Sequence, residues 1–295
     1  MKAGPRCISC LRRKQAQAAR SLPADARAAF LAEIEEIIAA YGGKESSPAL
    51  AARADSAYAH FAAAEDVTAL KSSFNRLLLS REEEFTRRIA ASADPVRTAA
   101  GYACAANYID FSAVENVNEQ TLNRLLDGVS SEAISDEEYE YFKADLSKAQ
   151  KLTYVCDNCG EIVLDKLLMK TIKQAYPQIG ITALVRGGNV TNDATMVDAE
   201  EAGLPAVARC IGNGNSAPGT VLSLLSVEAL SALKEANVII SKGQGNFESL
   251  CEEGLDPYFL LLCKCEMYVE RFGLKQFTPV FVKESRLTGQ PVKWL

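Results

Sequence analysis

Histidine is almost absent from this sequence, because His60 is the only imidazole among 295 residues. A zinc site built from several histidines is therefore impossible, and a Ser-His-Asp or Cys-His hydrolase would depend entirely on His60. The chain also lacks an excess of basic residues, since 32 Lys and Arg face 38 Asp and Glu. A nucleic acid or an anionic membrane would need a concentrated basic surface, so neither is an expected partner.

Long apolar runs are missing as well. The longest, such as 259–263, have the length of a strand and fall far short of the ~18 residues that indicate a membrane span. Arg12 and Arg13 fall where the apolar core of a secretory signal would lie. Nine cysteines, an odd number, do not indicate a complete set of intrachain disulfides. A reducing cytoplasm is therefore the expected location.

The pattern of the sequence changes near residue 150. We predict an α-helical region over 1–148, where apolar residues recur at helical spacing, and an α/β core over 149–295, where short apolar runs alternate with helix-length segments. Helices are predicted at 26–41, 48–64, 67–91, 95–108, 119–127, 137–149, 162–175, 196–202 and 227–236. Strands are predicted at 152–156, 181–185, 206–211, 238–241, 259–263 and 279–282.

The alternation in the second half predicts a Rossmann-like, mostly parallel sheet flanked by helices, because parallel strands need crossover connections. Ligands bind such sheets at the carboxyl ends of the strands. The residues that follow each predicted strand are therefore the candidates for a functional site.

Acidic and amide side chains follow the first two predicted strands. Asp157 and Asn158 come after the first strand, and Asp193 comes after the second, one βα unit later. Their hard oxygen donors suit Mg²⁺ or Mn²⁺, and Co²⁺ could also be held. The alternative is that these residues, or Asn192, only cap the helices that follow. Two acidic strand ends in succession favour a metal site formed by Asp157, Asn158 and Asp193.

A lysine and two glycines follow the fourth predicted strand, in the sequence Lys242-Gly243-Gln244-Gly245-Asn246. Backbone N–H groups can approach an anion closely at glycine, the ammonium supplies charge, and the start of a helix adds its dipole. We predict a phosphate site that includes Lys242, Gly243 and Asn246; an ordinary glycine turn beside a solvated lysine is the alternative. Metal and anion sites on neighbouring strands are the parts that phosphoryl transfer needs.

The loop 212–217, of sequence GNGNSA, formally matches the G-x-G-x-x-[GA] pattern of dinucleotide-binding proteins. It follows the third strand of its half rather than the first, and Pro218 interrupts the expected start of a helix. We interpret Gly212 and its loop as a wall of the same active site.

Several of these motifs, in this order and spacing, resemble the damage-control phosphatase family, also called domain of unknown function eighty-nine. The matching segments are 157–161 (DNCGE), 192–195 (NDAT) and 242–248 (KGQGNFE), and the segments 7–10 (CISC) and 107–112 (NYIDFS) are similar to the microbial branch. The resemblance implies metal-dependent phosphatases of unwanted or damaged phosphometabolites, with a helical region on a Rossmann-like core. It also implies Asp157, Asn158 and Asp193 as metal ligands and Lys242 as a contact to the substrate phosphate.

We therefore predict an enzyme that hydrolyses phosphomonoesters of small metabolites, such as sugar phosphates, with one divalent cation (Mg²⁺, Mn²⁺, Co²⁺ or Ni²⁺). Asp157, Asn158 and Lys242 are the expected catalytic residues. Asn107 and Asp110, at the end of a predicted helix, are candidate substrate contacts from the opposite wall. A simple turn at that helix end is the alternative reading of the pair.

Two other functions remain open. Cys7 with Cys10 and Cys156 with Cys159 form C-x-x-C pairs, so a non-catalytic metal- or metabolite-binding module with thiol sensing at Cys7 and Cys10 is the main alternative. Buried reduced thiols are the simpler explanation of these pairs. A haloacid-dehalogenase-type phosphatase is disfavoured, because Cys159 stands where that family places its second aspartate.

Overall fold

The computed structural model of the chain describes residues 1–63, 66–110, 119–129 and 134–287. Its helices are α1 (Pro5–Ala18), α2 (Ala24–Tyr41), α3 (Ser47–Tyr58), α4 (Thr68–Leu79), α5 (Glu82–Ala90), α6 (Pro95–Ala106), α7 (Glu119–Asp127), α8 (Asp136–Lys148), α9 (Glu161–Ala175), α10 (Met196–Glu201), α11 (Val227–Glu235), α12 (Gly243–Leu250) and α13 (Glu266–Phe272). Its strands are β1 (Lys151–Val155), β2 (Gly180–Val185), β3 (Arg209–Gly212), β4 (Val238–Lys242), β5 (Tyr258–Leu262) and β6 (Pro279–Lys283). Within those ranges, no helix combines the length and the hydropathy that a membrane span requires.

The six strands form one sheet in the order β3-β2-β1-β4-β5-β6. All neighbouring strands are parallel except β5 and β6, which are antiparallel. The predicted Rossmann-like, mostly parallel sheet with an α-helical N-terminal region is confirmed. The strand order reverses at β1, because β2 lies on one side of it and β4 on the other. A ligand crevice is expected at this point, outside the carboxyl ends of β1 and β4.

Some predicted elements differ from the structure. The single helix predicted over 67–91 is wrong, because two helices, α4 and α5, meet at Ser80 and Arg81. The second of them starts with three consecutive glutamates, which favour a helix N-terminus because of the helix dipole. The strand predicted over 206–211 begins later, at Arg209, after a short 3₁₀ turn. Neither α1 nor α13 was predicted.

The apolar core is divided by the sheet. Successive residues of β1 point to opposite faces, so Tyr154 joins one cluster of buried residues and Val155 joins the other. The cluster on the Tyr154 side also contains residues of α4 to α8. On that side Phe142 of α8 packs its ring 5.0 Å from the ring of Tyr258 and 5.1 Å from that of Phe281. Helices of the first half thus share a core with the sheet, and the division of the chain at residue 148 stays a prediction.

A third apolar cluster lies inside the layer formed by α1, α2 and α3, around Phe30, Ile34 and Leu50. This layer packs through α3 against α12. Gly219, in the loop after β3, lies close to both helices. A Cβ added to it would lie 2.8 Å from Cβ of Pro48 in α3 and 2.8 Å from the carbonyl oxygen of Gly245 in α12. The N-terminal layer therefore covers the helix that starts at the carboxyl end of β4.

Candidate functional site

Asp157 and Asn158 lie between the end of β1 and the start of α9. Neither side chain caps the helix, because the N-cap residue of α9 is Gly160, with a φ of +71°. The amide nitrogen of Asn158 instead donates to Oδ2 of Asp157, at 2.8 Å. The backbone of Asn158 pairs with that of Asp193 in an isolated antiparallel bridge. The helix-capping alternative therefore fails for Asp157 and Asn158, and the loops after β1 and β2 are joined.

Asp193 does not cap a helix either, because the N-cap of α10 is Thr195, in a capping box with Asp198. Oδ2 of Asp193 accepts a hydrogen bond from Nε of Arg186 at 2.6 Å, and Oδ1 accepts one from the Thr191 hydroxyl at 3.1 Å. The same guanidinium lies 3.7 Å from Oδ1 of Asp157. The three predicted metal ligands thus come together at the ends of β1 and β2, with Arg186 beside both carboxylates.

Arg186 is the functional candidate that the sequence reasoning missed. Its side chain is buried, and Nη2 donates to Oδ1 of Asn246 at 3.1 Å while Nη1 donates to the Thr220 hydroxyl at 3.3 Å. The amide nitrogen of Asn246 donates in turn to the carbonyl oxygens of Cys156 and Lys242. Asn246 therefore ties the ends of β1 and β4 to the guanidinium. Its position directly after β2 is the signal that could have identified Arg186.

Gly243 begins α12 directly against the Asp157 carboxylate. Its φ is +77°, a conformation that L side chains rarely adopt, and a Cβ added there would lie 1.8 Å from Oδ2 of Asp157. The first glycine of the predicted phosphate loop is thus needed for close approach between the end of β4 and the end of β1.

Lys242 is fully buried rather than solvated. Its ammonium donates to Oδ1 of Asp165 at 2.6 Å and to Oε1 of Glu161 at 3.3 Å. Burial opposes protonation of Lys242, but the charges of Asp165 and Glu161 outweigh it and raise its pKa. Burial raises the pKa of Asp165 to about 6, against the opposing charge of Lys242. The ordinary-turn alternative with a solvated lysine therefore fails, and contact between Lys242 and a substrate phosphate stays a prediction.

Asn107, at the end of α6, is brought to the site from the helical half. Its amide nitrogen donates to Oδ2 of Asp157 at 3.0 Å and to Oε2 of Glu161 at 2.9 Å. The ammonium of Lys264, which follows β5, donates to the carbonyl oxygen of Asn107 and to Oδ2 of Asp110. Of the two candidates of the opposite wall, Asn107 thus contacts Asp157 directly, and Asp110 contacts Lys264, which also binds Asn107. The signature residues 111 and 112 lie outside the described part of the chain.

Carboxylates exceed cationic groups in this buried cluster. Five acidic side chains face three basic ones, so complete ionisation would leave two uncompensated negative charges. The acids are Asp110, Asp157, Glu161, Asp165 and Asp193, and the bases are Arg186, Lys242 and Lys264. Burial raises the pKa of Asp157 well above its usual value, and the charges of Glu161 and Asp193 add to the shift. Burial also raises the pKa of Asp193, although Arg186 opposes it. Such a cluster is suited to binding a cation.

The proposed cation ligands are two carboxylates and one amide. Among the described residues, no group of three or more His, Cys, Asp or Glu side chains is arranged to hold a metal ion. The predicted set differs from such a group, because it combines the two carboxylates of Asp157 and Asp193 with the amide oxygen of Asn158. Carboxylate and amide oxygens are ligands of hard divalent cations, so the chemistry of these residues fits a cation such as Mg²⁺.

Two other predicted features were Gly212 and the Cys7–Cys10 pair. Gly212 ends β3, two strands from β1 in the sheet order, and a Cβ added to it would lie 3.5 Å from Cα of Gly187 and 3.8 Å from the carbonyl oxygen of Arg186. A role for Gly212 as a wall of the active site stays a prediction. Cys7 and Cys10 are half-buried on α1. All nine cysteines of the chain lie within the described ranges, and all are thiols rather than disulfides. Thiol sensing at Cys7 and Cys10 stays a prediction.

The sequence pattern of the family described as damage-control phosphatase ARMT1-like domain matches residues 3–280. The chain belongs to this family. The resemblance to the damage-control phosphatase family is therefore confirmed, and the similarity of 7–10 and 107–112 to its microbial branch stays a prediction.

Two relatives of this family member carry the name damage-control phosphatase. The chain is 35% identical over 189 residues to a damage-control phosphatase of Archaeoglobus fulgidus. The aligned segment covers 63% of this chain and 64% of that protein. The chain is also 35% identical over 164 residues to a damage-control phosphatase of Pyrococcus horikoshii, which covers 54% and 55%. The chain thus spans less than two thirds of the length of these relatives.

The fold of this family member is shared with a solved structure. A crystal structure of a DUF89 family protein from Pyrococcus horikoshii superposes with a TM-score of 0.75, at 24% sequence identity, and covers 96% of this chain and 99% of that chain. At this identity the likeness concerns the fold. It agrees with the α/β fold described above.

Proposed function

We propose that this damage-control phosphatase family member is a metal-dependent phosphatase that hydrolyses phosphomonoesters of small metabolites, in the manner of metabolite repair. The observation that carries the proposal is the convergence of Asp157, Asn158 and Asp193 at adjacent strand ends, within a buried cluster that has more acidic than basic side chains. The names of the relatives from Archaeoglobus fulgidus and Pyrococcus horikoshii support the phosphatase class.

One divalent cation, Mg²⁺, Mn²⁺, Co²⁺ or Ni²⁺, would be held by Asp157, Asn158 and Asp193. Such an ion polarises a phosphoryl oxygen as a Lewis acid and offsets the negative charge of the cluster. Hydrogen bonds within the protein orient the two carboxylate ligands. Asn107 and Asn158 hold Oδ2 of Asp157, and Arg186 holds Oδ2 of Asp193, so both carboxylates are fixed before a ligand arrives.

The start of α12 would bind the phosphoryl group. The backbone N–H groups of its first turn and the positive end of its dipole stabilise negative charge on the phosphoryl oxygens. Gly243 and Asn246 contribute by bringing this turn against Asp157 and by fixing the ends of β1 and β4. Lys242 is the proposed side-chain contact, because a phosphate could replace Glu161 at 3.3 Å, the longer of its two ion pairs.

The test is turnover of an aryl phosphate and of hexose phosphates by chelator-treated protein, before and after each of the four cations is added. Activity should return only with cation. Asp157→Asn should abolish both activity and Mn²⁺ binding measured by calorimetry. Asp127→Asn is the control, since Asp127 is an exposed partner of Arg88 in the helical half. Full activity in the stripped protein, or Mn²⁺ binding unchanged by Asp157→Asn, would contradict the proposal.

A further inference from the structure

Gln244 has a buried hydrogen-bond donor that the fold does not use. The side chain is only 7% exposed, and its amide nitrogen Nε2 has no hydrogen-bond partner among the residues that the structure describes. Buried polar side-chain atoms in native proteins are nearly always paired, so an exception calls for a reason. A donor that pairs only with a bound ligand is one such reason.

The position of Gln244 indicates which ligand this is. It is the second residue of α12, an eight-residue helix whose start carries partial positive charge. The preceding residue, Gly243, lies against Asp157, one of the proposed cation ligands. An unused N–H donor, the positive end of a helix and the proposed cation position thus occur within one turn of chain. All three favour an oxyanion next to the cation.

We propose that Gln244 is a substrate-binding residue whose Nε2 donates a hydrogen bond to a phosphoryl oxygen of the phosphomonoester. This inference rests on the proposed phosphatase function and adds a side chain to the phosphate site. Gln244 pairs with the phosphoryl group in the complex. Its role is binding rather than positioning, because among the residues that the structure describes its amide nitrogen has no acceptor to hold in place.

The test uses Gln244→Met in the full chain, because methionine has a similar length and shape but no N–H donor. Binding of inorganic phosphate is measured by calorimetry in the presence of Mn²⁺. The variant should bind phosphate about tenfold more weakly, which corresponds to the loss of one hydrogen bond to a charged group. KM for an aryl phosphate should rise by a similar factor, while kcat changes by less than about twofold. The midpoint of urea unfolding without phosphate should not fall.

Gln178→Met is the matched control. Gln178 precedes β2 at the opposite, amino edge of the sheet, where its amide nitrogen donates to the carbonyl oxygen of Leu146. This variant loses the same chemical group but should keep the phosphate affinity and KM of the wild type. If Gln244→Met does not fold, Gln244→Ala replaces it. A titration of the wild type by NMR requires no folded variant, since the side-chain NH₂ signal of Gln244 should shift when phosphate is added.

Phosphate affinity and KM that are unchanged in Gln244→Met, or an NH₂ signal that phosphate does not shift, would overturn the inference. The outcome is distinguishable from failure of the proposed function. If the protein hydrolyses no phosphomonoester but binds phosphate through Gln244, the proposed phosphatase function is contradicted and the phosphate site is supported. If the protein is active but Gln244→Met has the phosphate affinity of the wild type, the phosphatase function is supported and the role of Gln244 is contradicted.

Discussion

At the scale of single residues, Asp157 is held from three sides. Two amide donors, from Asn107 and Asn158, occupy its Oδ2 atom, and Gly243 leaves room for that carboxylate only because it has no side chain. These two donors are neutral and fix the orientation of the carboxylate, whereas the Arg186 guanidinium lies farther away, 3.7 Å from Oδ1. A cation can therefore be attracted to a group whose geometry is already set.

Gly243→Ala should displace the Asp157 carboxylate and abolish Mn²⁺ binding. The added Cβ would lie 1.8 Å from Oδ2, so either the carboxylate or the start of α12 must move. We expect a loss of about 3 kcal/mol in the free energy of unfolding, because backbone strain and steric displacement add. Urea unfolding and Mn²⁺ calorimetry measure the two effects.

Gly254→Ala is the matched control for this change. Gly254 has almost the same φ, +76° against +77°, but within the described part of the chain no atom lies within 4 Å of an added Cβ. It should lose about 1 kcal/mol from backbone strain alone and keep Mn²⁺ affinity. Equal Mn²⁺ affinity in the two variants would show that Gly243 is not required for the geometry of Asp157.

At the scale of elements, the spacing of apolar residues predicted the strands and most helices. This works because the buried face of a strand or helix recurs at a regular interval, and apolar residues occupy that face. Periodicity did not find the break between α4 and α5, since the apolar spacing continues through it. It also placed Asp157, Asn158 and Asp193 at strand ends, where topology alone determines that they meet. The partners of Lys242 were not predictable, because Glu161 and Asp165 are spaced like residues of a solvated helix face. Only the tertiary packing of α9 shows that they are buried.

Another element-scale contact joins α8 to the antiparallel edge of the sheet. Oδ2 of Asp145 accepts hydrogen bonds from the Tyr258 hydroxyl at 2.6 Å and from the Lys283 ammonium at 2.7 Å. Burial alone would raise the pKa of Asp145, but the hydrogen bonds from Lys283 and Tyr258 outweigh it and lower the pKa below 3.8. The carboxylate thus stabilises the folded state wherever it is ionised.

Asp145→Asn should lower the free energy of unfolding by about 1 kcal/mol near pH 7. The folded pKa is depressed, so this contribution is fully present above the unfolded pKa and is lost as the pH falls through the folded value. The difference between wild type and variant should therefore shrink below pH 3.8. Glu140→Gln, which removes an exposed ion pair within α8, is the control and should change stability little at any pH. A difference that persists unchanged in acid would contradict the assignment.

At the scale of the whole molecule, the helical half supports both loops of the proposed cation site. Asn75 of α4 is fully buried and accepts a hydrogen bond from the Gly160 amide, at 2.6 Å, in the loop after β1. Its own amide nitrogen donates to Asp198 and Glu201 of α10, the helix that follows Asp193. One side chain of the first half thus connects the segments that carry Asp157 and Asp193.

Asn75→Ala should therefore weaken Mn²⁺ binding although Asn75 contacts none of the proposed ligands. We expect about tenfold lower Mn²⁺ affinity, as for other residues that orient metal ligands, and a loss of about 2–4 kcal/mol in the free energy of unfolding from the unpaired buried groups. Asn123→Ala is the control, since Asn123 of α7 accepts a hydrogen bond from Arg81 within the helical half. That variant should lose about 1 kcal/mol of stability and keep its Mn²⁺ affinity. If both variants bind Mn²⁺ like the wild type, the helical half stabilises the fold without setting the geometry of the cation site.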